Sequence, residues 1–359
     1  MTSSAGSAGE RRRRRRPAIL TVRSAAAIPV KKRRGRTRDP HTLSLVRTKD
    51  LPTRWGLGLV AGLLAVLVAA ALPGAAGAAV RNYWITAEPV TWNAVPNELD
   101  AIHGTRFLPS QTVFPTVTYR RYTKGWKRPL PDNRESGTGH IPGPLIKARV
   151  GDTVRVHFKN LDRLRNEAHS MHFHGFHYAP SSDGAYVPGF SSRGGRVLPG
   201  QRFVYTLHAD RGSQGVWPYH DHSTSMEESI AGGMYGAISI AGRHERRADR
   251  EFVVVFAPFA TFQTVNARAF VGNTPVFQSR VGETVQWDVL AMGSEHHTFH
   301  VHGHKWLDPS GVPTDTKTLG PAESFRVRWR ENAPGTWLYH CHVEAHMAQG
   351  MIGLYRVRR

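Results

Sequence analysis

A chain of 359 residues has room for two ordinary domains and something extra, and 40% hydrophobic residues suffice for sizeable cores. Its formal charge of +21 is lopsided: residues 1–54 hold 16 Lys and Arg against 3 Asp and Glu, or +13, which leaves +8 for the other 305. The basic excess is a tail property, so it does not make the folded part a nucleic-acid binder. A single cysteine excludes an intramolecular disulfide, and the informative excess is 20 histidines.

Six arginines at 11–16 and a basic cluster at 31–38 mark residues 1–54 as a disordered basic tail. Residues 55–80 contain no charge, and their heart, GLGLVAGLLAVLVAAAL, is long enough to span or nearly span a bilayer. Basic residues before it predict a cytoplasmic N-terminus and an exported remainder. Ala76, Gly77 and Ala78 resemble a small-residue cleavage site, so a transmembrane anchor and a cleaved signal both fit. Either way the product is expected to be extracytoplasmic, membrane-anchored or secreted.

After a Pro- and Gly-rich approach (81–144), short β-like runs alternate with turn signals, as in an all-β sandwich. A repeat then emerges. VGDTVRVHF (150–158) returns as VGETVQWDV (281–289), HSMHFHG (169–175) as HTFHVHG (297–303), GVWPYHDH (215–222) as GTWLYHCH (335–342), and MYGAISI (234–240) as MIGLYRV (351–357). Four matched blocks in one order mean two copies of one domain. Domain 1 is expected at 81–243, an Arg-rich linker at 243–251 and domain 2 at 251–359. Each should be a Greek-key β-sandwich.

The chemistry concentrates at the end of the second copy, where residues 340–351 read HCHVEAHMAQGM. One thiolate, imidazoles and a thioether describe a His₂Cys site with a weak axial Met, the geometry of blue-copper electron transfer. On a strand, Cys341 would point one way while His340 and His342 point the other. His172 with His174, His220 with His222, and His300 with His302 add three more HxH pairs, each presenting two imidazoles to one side. Eight imidazoles from four strands can hold more than one metal, and neutral imidazole suits copper.

These four blocks resemble the copper-binding motifs of multicopper oxidases, and the two-copy length resembles the two-domain, small laccases. The likeness covers residues 144–359. It implies two cupredoxin-like domains and four coppers per chain. The type 1 copper would be bound by His297, Cys341 and His346 with Met351 axial. The type 2 copper would be bound by His172 and His300, and the type 3 pair by His174, His220, His222, His302, His340 and His342. The spacing His-x-x-His-x-His favours His297 over its neighbour His296. The resemblance further implies a laccase-like oxidoreductase that takes electrons singly from phenols, aromatic amines or metal ions. They pass from the type 1 copper through Cys341 to the trinuclear cluster, where O₂ is reduced to water. With no middle domain as spacer, domain 1 of one chain would meet domain 2 of its neighbour in a closed homotrimer.

Three further residues are candidates for roles in catalysis. Asp183 could orient a ligand imidazole or deliver protons, unless it is only an Asp-Gly turn residue. Tyr178 could give an electron to a stalled cluster, or be a packed aromatic. Glu344 could face the type 1 pocket and take a proton from a phenol or attract a cation, or be an exposed loop residue. In the first copy Asp221 stands on Cys341, Met226 on His346 and Met234 on Met351, while His169 keeps the place of His297. A His169–Asp221 hydrogen bond is therefore expected to fill a lost copper site, unless Asp221 bonds backbone amides or a cluster histidine and His169 is incidental. The rivals are a copper nitrite reductase, needing only a mononuclear type 2 site, and a non-catalytic copper or electron-transfer protein.

Overall fold

Strands of the two sequence copies take matching places in two sandwiches. The computed structural model describes residues 78–131 and 134–359. The basic tail and all but residues 78–80 of the apolar segment lie outside them. Among the described residues no helix is long and apolar enough to cross a membrane.

In the first sandwich one sheet runs Val113–Tyr122, Val80–Asn93, Thr153–Asn160, Arg202–His208. The other runs Gly143–Arg149, Tyr235–Ala241, Gly215–His220, His172–Phe173. The second sandwich repeats this order with Phe262–Val265, Arg250–Phe259, Thr284–Ala291, Ser324–Arg330 and with Val276–Arg280, Ile352–Arg358, Gly335–Cys341, His297–Val301. It adds Thr316–Leu319 at the last edge. Parallel pairs recur too: Val80–Asn93 with Thr153–Asn160 answers Arg250–Phe259 with Thr284–Ala291. The remaining ladders are mostly antiparallel, as Greek-key sandwiches require.

Residues 81–144 supply the two long strands Val80–Asn93 and Val113–Tyr122, so they are more than an approach. Arg250 and Glu251, expected in the linker, open the first strand of the second sandwich. The two opening strands read differently because they are buried differently. Arg250–Phe259 is apolar on both faces. Phe252, Val254 and Phe256 enter the core of its own sandwich, while Val253, Val255 and Ala257 enter a second core shared with Leu145, Val216, Tyr235 and Ala237 of the first sandwich. A strand buried on both sides becomes a continuous hydrophobic run, whereas one with a solvent face alternates.

The same two-faced logic positions the chemistry. On Gly335–Cys341, Tyr339 and Cys341 are fully buried in the second core, so His340 projects from the opposite face. Glycines of the repeated motifs make room for this pairing. Gly175 and Gly303 adopt φ of +74° and +68°, and an added Cβ would meet Trp217 at 2.2 Å and Trp337 at 2.6 Å. Only glycine allows both the conformation and the approach. The indole of each tryptophan is itself fixed by donating to a backbone carbonyl, Ser213 for Trp217 and Ala333 for Trp337.

Candidate metal centres

Three side chains converge in the second sandwich. His297 enters on the strand His297–Val301, Cys341 ends Gly335–Cys341, and His346 sits in the short helix Glu344–Ala348. The His297 and His346 Nδ1 atoms lie 3.8 and 3.7 Å from Cys341 Sγ and 3.2 Å from each other. A divalent ion bound to nitrogen at about 2.0 Å and to sulfur at about 2.3 Å in a trigonal plane needs N···S separations of roughly 3.7 Å. The triangle fits. His297 is fully buried whereas His296 is exposed, so the structure places His297 beside the cysteine. Met351 is also fully buried, and its backbone ties the set together: its carbonyl accepts from Cys341 N at 3.1 Å, and its own N–H donates to His346 O at 3.0 Å. Burial, together with neighbouring imidazoles, pulls His297 down to about 3, so its ring is neutral and able to ligate at neutral pH.

Glu295 was missed by the sequence reading. Its carboxylate lies 3.3 Å from His346 Nε2 and accepts from Gln263 Nε2 at 2.7 Å, while its side chain is 53% exposed. A carboxylate on Nε2 holds the proton there and leaves Nδ1 free for a metal. The available signal was a lone acid two residues before His297. Glu344, the carboxylate that the sequence suggested, is exposed at the start of the last helix. It has no hydrogen bond or ion pair among the described residues.

The HxH pairs assemble into two half-sites. His172 lies opposite His220 in register, and His300 opposite His340. In the first half-site the His172 ring lies 5.1, 5.5 and 5.3 Å from the rings of His174, His220 and His222. In the second, His300 lies 5.3, 5.4 and 5.4 Å from His302, His340 and His342. In each half-site a pair of Nε2 atoms comes close, His174 to His220 at 3.3 Å and His302 to His340 at 3.1 Å.

Backbone carbonyls set the ring orientations. The Nδ1–H of His172 donates to Asp183 O at 2.7 Å and that of His300 to Asp315 O at 2.8 Å. His220 and His340 donate to the carbonyls of Asp221 and Cys341. Each of these four rings thus turns Nε2 toward its cluster, the condition for a metal ligand. Burial and neighbouring imidazoles hold His174, His220 and His340 at about 4. Donor chemistry and protonation both fit copper.

Asp183 therefore acts on His172 first through its main chain. Its carboxylate stands 3.6 Å from the same Nδ1 and also accepts from Ala185 N, closing the expected Asp-Gly turn. The ring of Tyr178 lies 6.4 Å from that of His172. Both residues sit beside the first half-site.

The first copy's counterpart of the cysteine site holds no sulfur. Asp221 is fully buried, and its carboxylate accepts from Ser170 N, Ser170 Oγ and Ser223 Oγ at 2.8, 3.2 and 2.9 Å. It also accepts from Ser223 N at 3.2 Å and from His169 Nδ1 at 3.0 Å, the expected bond. A second carboxylate was not foreseen: Asp162 lies 3.2 Å from His169 Nε2. Met226, in the place of His346, is partly exposed.

The comparisons agree with this geometry. Residues 136–245 and 247–359 each match a multicopper oxidase family model. The human protein described as "Ferroxidase HEPHL1" is 26% identical over 83% of this chain and 31% of its own length. A "Probable nitrite reductase-hydroxylamine oxidoreductase fusion protein" of Kuenenia stuttgartiensis is 30% identical over 60% of this chain and 27% of its own. The chain thus spans less than a third of these relatives. A solved multicopper oxidase superposes with a TM-score of 0.59 at 24% identity, covering 77% of this chain and 89% of the other. A copper nitrite reductase from Nitrosomonas europaea gives 0.58 at 20%, covering 78% and 95%, and these two likenesses speak to the fold. Matched family models on both sandwiches, each carrying its own four-histidine half-site, lead to one assignment: the chain belongs to the multicopper oxidase family.

Proposed function

We propose that this chain is a laccase-like oxidase that takes single electrons from a small reducing donor, a phenol, an aromatic amine or a metal ion, and passes four of them to O₂. One observation carries the reading. A single strand end presents a cysteine–two-histidine triangle on one face and half of a histidine cluster on the other. His297, Cys341 and His346, with the thioether of the buried Met351, would hold a type 1 copper. His172 and His300 would hold the type 2 copper, and His174, His220, His222, His302, His340 and His342 the type 3 pair, four coppers per chain. When bound, copper supplies one-electron exchange with the donor at the first site and four-electron, four-proton reduction of O₂ to two waters at the second.

The chain's own part is positioning. Cys341 is bonded through the main chain to both His340 and His342, so a few covalent bonds separate the two sites. Carbonyl acceptors aim the cluster imidazoles, while burial and neighbouring imidazoles keep them neutral. The half-exposed carboxylate of Asp183, 3.6 Å from His172 Nδ1, is placed to deliver protons to the cluster. Tyr178 stands near enough to serve as an electron reserve. Glu295, exposed and bonded to His346, is where an incoming phenol would lose a proton or a cation would be drawn in; Glu344 lacks that connection.

Assembly follows from the half-sites. His302 and His342 are exposed, which suits a half-site completed by another copy. Domain 1 of one chain would meet domain 2 of the next, in a closed homotrimer of heterologous contacts. Export, with or without a retained anchor at 55–80, fits the charge distribution of the N-terminal region.

Likeness to nitrite reductases supports a second reading, a two-copper enzyme. Eight clustered imidazoles weigh against it, since a mononuclear site uses fewer. Purified, copper-loaded protein should be blue and should consume O₂ with a phenol, and Cys341→Ser should lose the colour and nearly all turnover. Nitrite reduction without O₂ uptake, or a fully active Cys341→Ser, would overturn the proposal.

A further inference from the structure

Away from the metal centres, a cavity of about 540 Å³ opens between the two sandwiches, roofed by the linker. That volume is in the range of small-molecule sites. Its lining carries nine arginine or lysine side chains against four carboxylates, an excess of five positive charges. Three of the four carboxylates are already used internally. Glu135 and Glu251 both bind Lys147, each at 2.7 Å, and Glu245 pairs with Arg326 and Arg328. The fourth, Asp249, accepts from Thr284 N at 2.7 Å.

Arg81 and Arg250 pair with Asp152 and Glu283 outside the lining, which leaves Arg134, Arg149, Arg246 and Arg247. Arg149, on the first sandwich, contacts only carbonyl oxygens, those of Gly242, Arg243 and Glu245. Arg246 and Arg247, on the linker, are exposed and have no ion pair among the described residues. Beneath them Arg326 is held rigid. It bonds both carboxylate oxygens of Asp288 at 2.7 and 3.0 Å and reaches Ser239 Oγ and Ile240 O in the other sandwich. Like charges gathered around a concave wall repel one another, and that repulsion is relieved by an anion with charge on several atoms. Guanidinium groups favour oxyanions in particular, since their N–H forks match paired oxygens. A monovalent ion would answer only one of the separated cations.

We propose that this inter-sandwich cavity binds a small polyvalent oxyanion of the polyphosphate type, held by Arg149, Arg246 and Arg247. The site is independent of copper and of the oxidase reading. The test is calorimetric titration of the full, copper-loaded protein with inorganic tripolyphosphate and, separately, with orthophosphate at one fixed ionic strength. The blue absorbance is followed throughout, so that any stripping of copper is seen. Tripolyphosphate should bind saturably, at one site per chain, and at least about tenfold tighter than orthophosphate. Arg246→Ser with Arg247→Ser, both at exposed positions without side-chain partners, should weaken it about tenfold or more and leave the blue band unchanged. Arg246→Lys with Arg247→Lys should restore part of the affinity. Equal affinity for both anions, binding unchanged in the serine variants, or binding that vanishes only when copper is removed would each overturn the proposal.

Discussion

Asp221 and Cys341 occupy matching positions in the two copies, and the difference between them decides which copy can be blue. Where the second copy places a sulfur among imidazoles, the first places a buried carboxylate among serines, with His169 clamped between Asp221 and Asp162. All three side chains are fully buried. Removing one partner of a buried ionic set typically costs about 3–5 kcal/mol, because the others lose their compensation. Asp162→Asn should therefore lower stability by roughly that amount in chemical denaturation, while the blue spectrum of the folded protein stays as it was. Asp221→Cys alone should not create a second blue centre, since Met226 stands where an imidazole is needed; adding Met226→His supplies the missing ligand. Glu295 invites a third substitution. Groups that orient a ligand imidazole are worth about 10–100-fold in metal affinity or activity, so Glu295→Ala should cost that much turnover in steady-state assays. Glu344→Ala, at an exposed and unbonded carboxylate, should cost far less.

Strands explain why some of this was legible beforehand and some was not. HxH pairs announce themselves because a strand's two-residue period puts both rings on one face, and HCH adds the reversal at Cys341. The carbonyls that fix those rings carry no residue signature: Asp183 and Asp315 act on His172 and His300 through the main chain, so any residue there could do the same. Val80–Asn93 was hard to read because Thr, Asn, Arg and Pro interrupt its apolar positions. Its counterpart in the second copy, Arg250–Phe259, was easy to mistake for the end of a linker because it begins with two charges. Glu331 lies buried between the strands Ser324–Arg330 and Gly335–Cys341. Burial opposes its ionisation, yet hydrogen bonds from His304, Tyr355, the Ala333 backbone and Trp329 prevail and hold it at about 2. A carboxylate whose folded pKa lies below its unfolded value adds stability above the unfolded pKa and loses it as pH falls toward the folded one. Wild type should be more stable than Glu331→Gln at pH 7, and the gap between their melting temperatures should close between about pH 4.5 and 2.

At the scale of the molecule, the duplicated sequence became a duplicated topology, and the shared core between Val253, Val255 and Ala257 and the first sandwich joins the copies. That core was not legible, because nothing in a single sequence says which face of a strand meets another domain. Nor was the inter-sandwich cavity, whose cations come from segments up to 247 residues apart in the chain, Arg81 to Arg328. The histidine pairs that gather in the half-sites were legible from their spacing. The proposed completion between neighbouring chains predicts a trimer in multi-angle light scattering, with cluster copper lost when the trimer is dissociated. The most direct measurement of the central claim is copper per chain, determined by elemental analysis on the native, fully loaded assembly. Four coppers per chain, with one blue centre among them, is the predicted result; two per chain would contradict it.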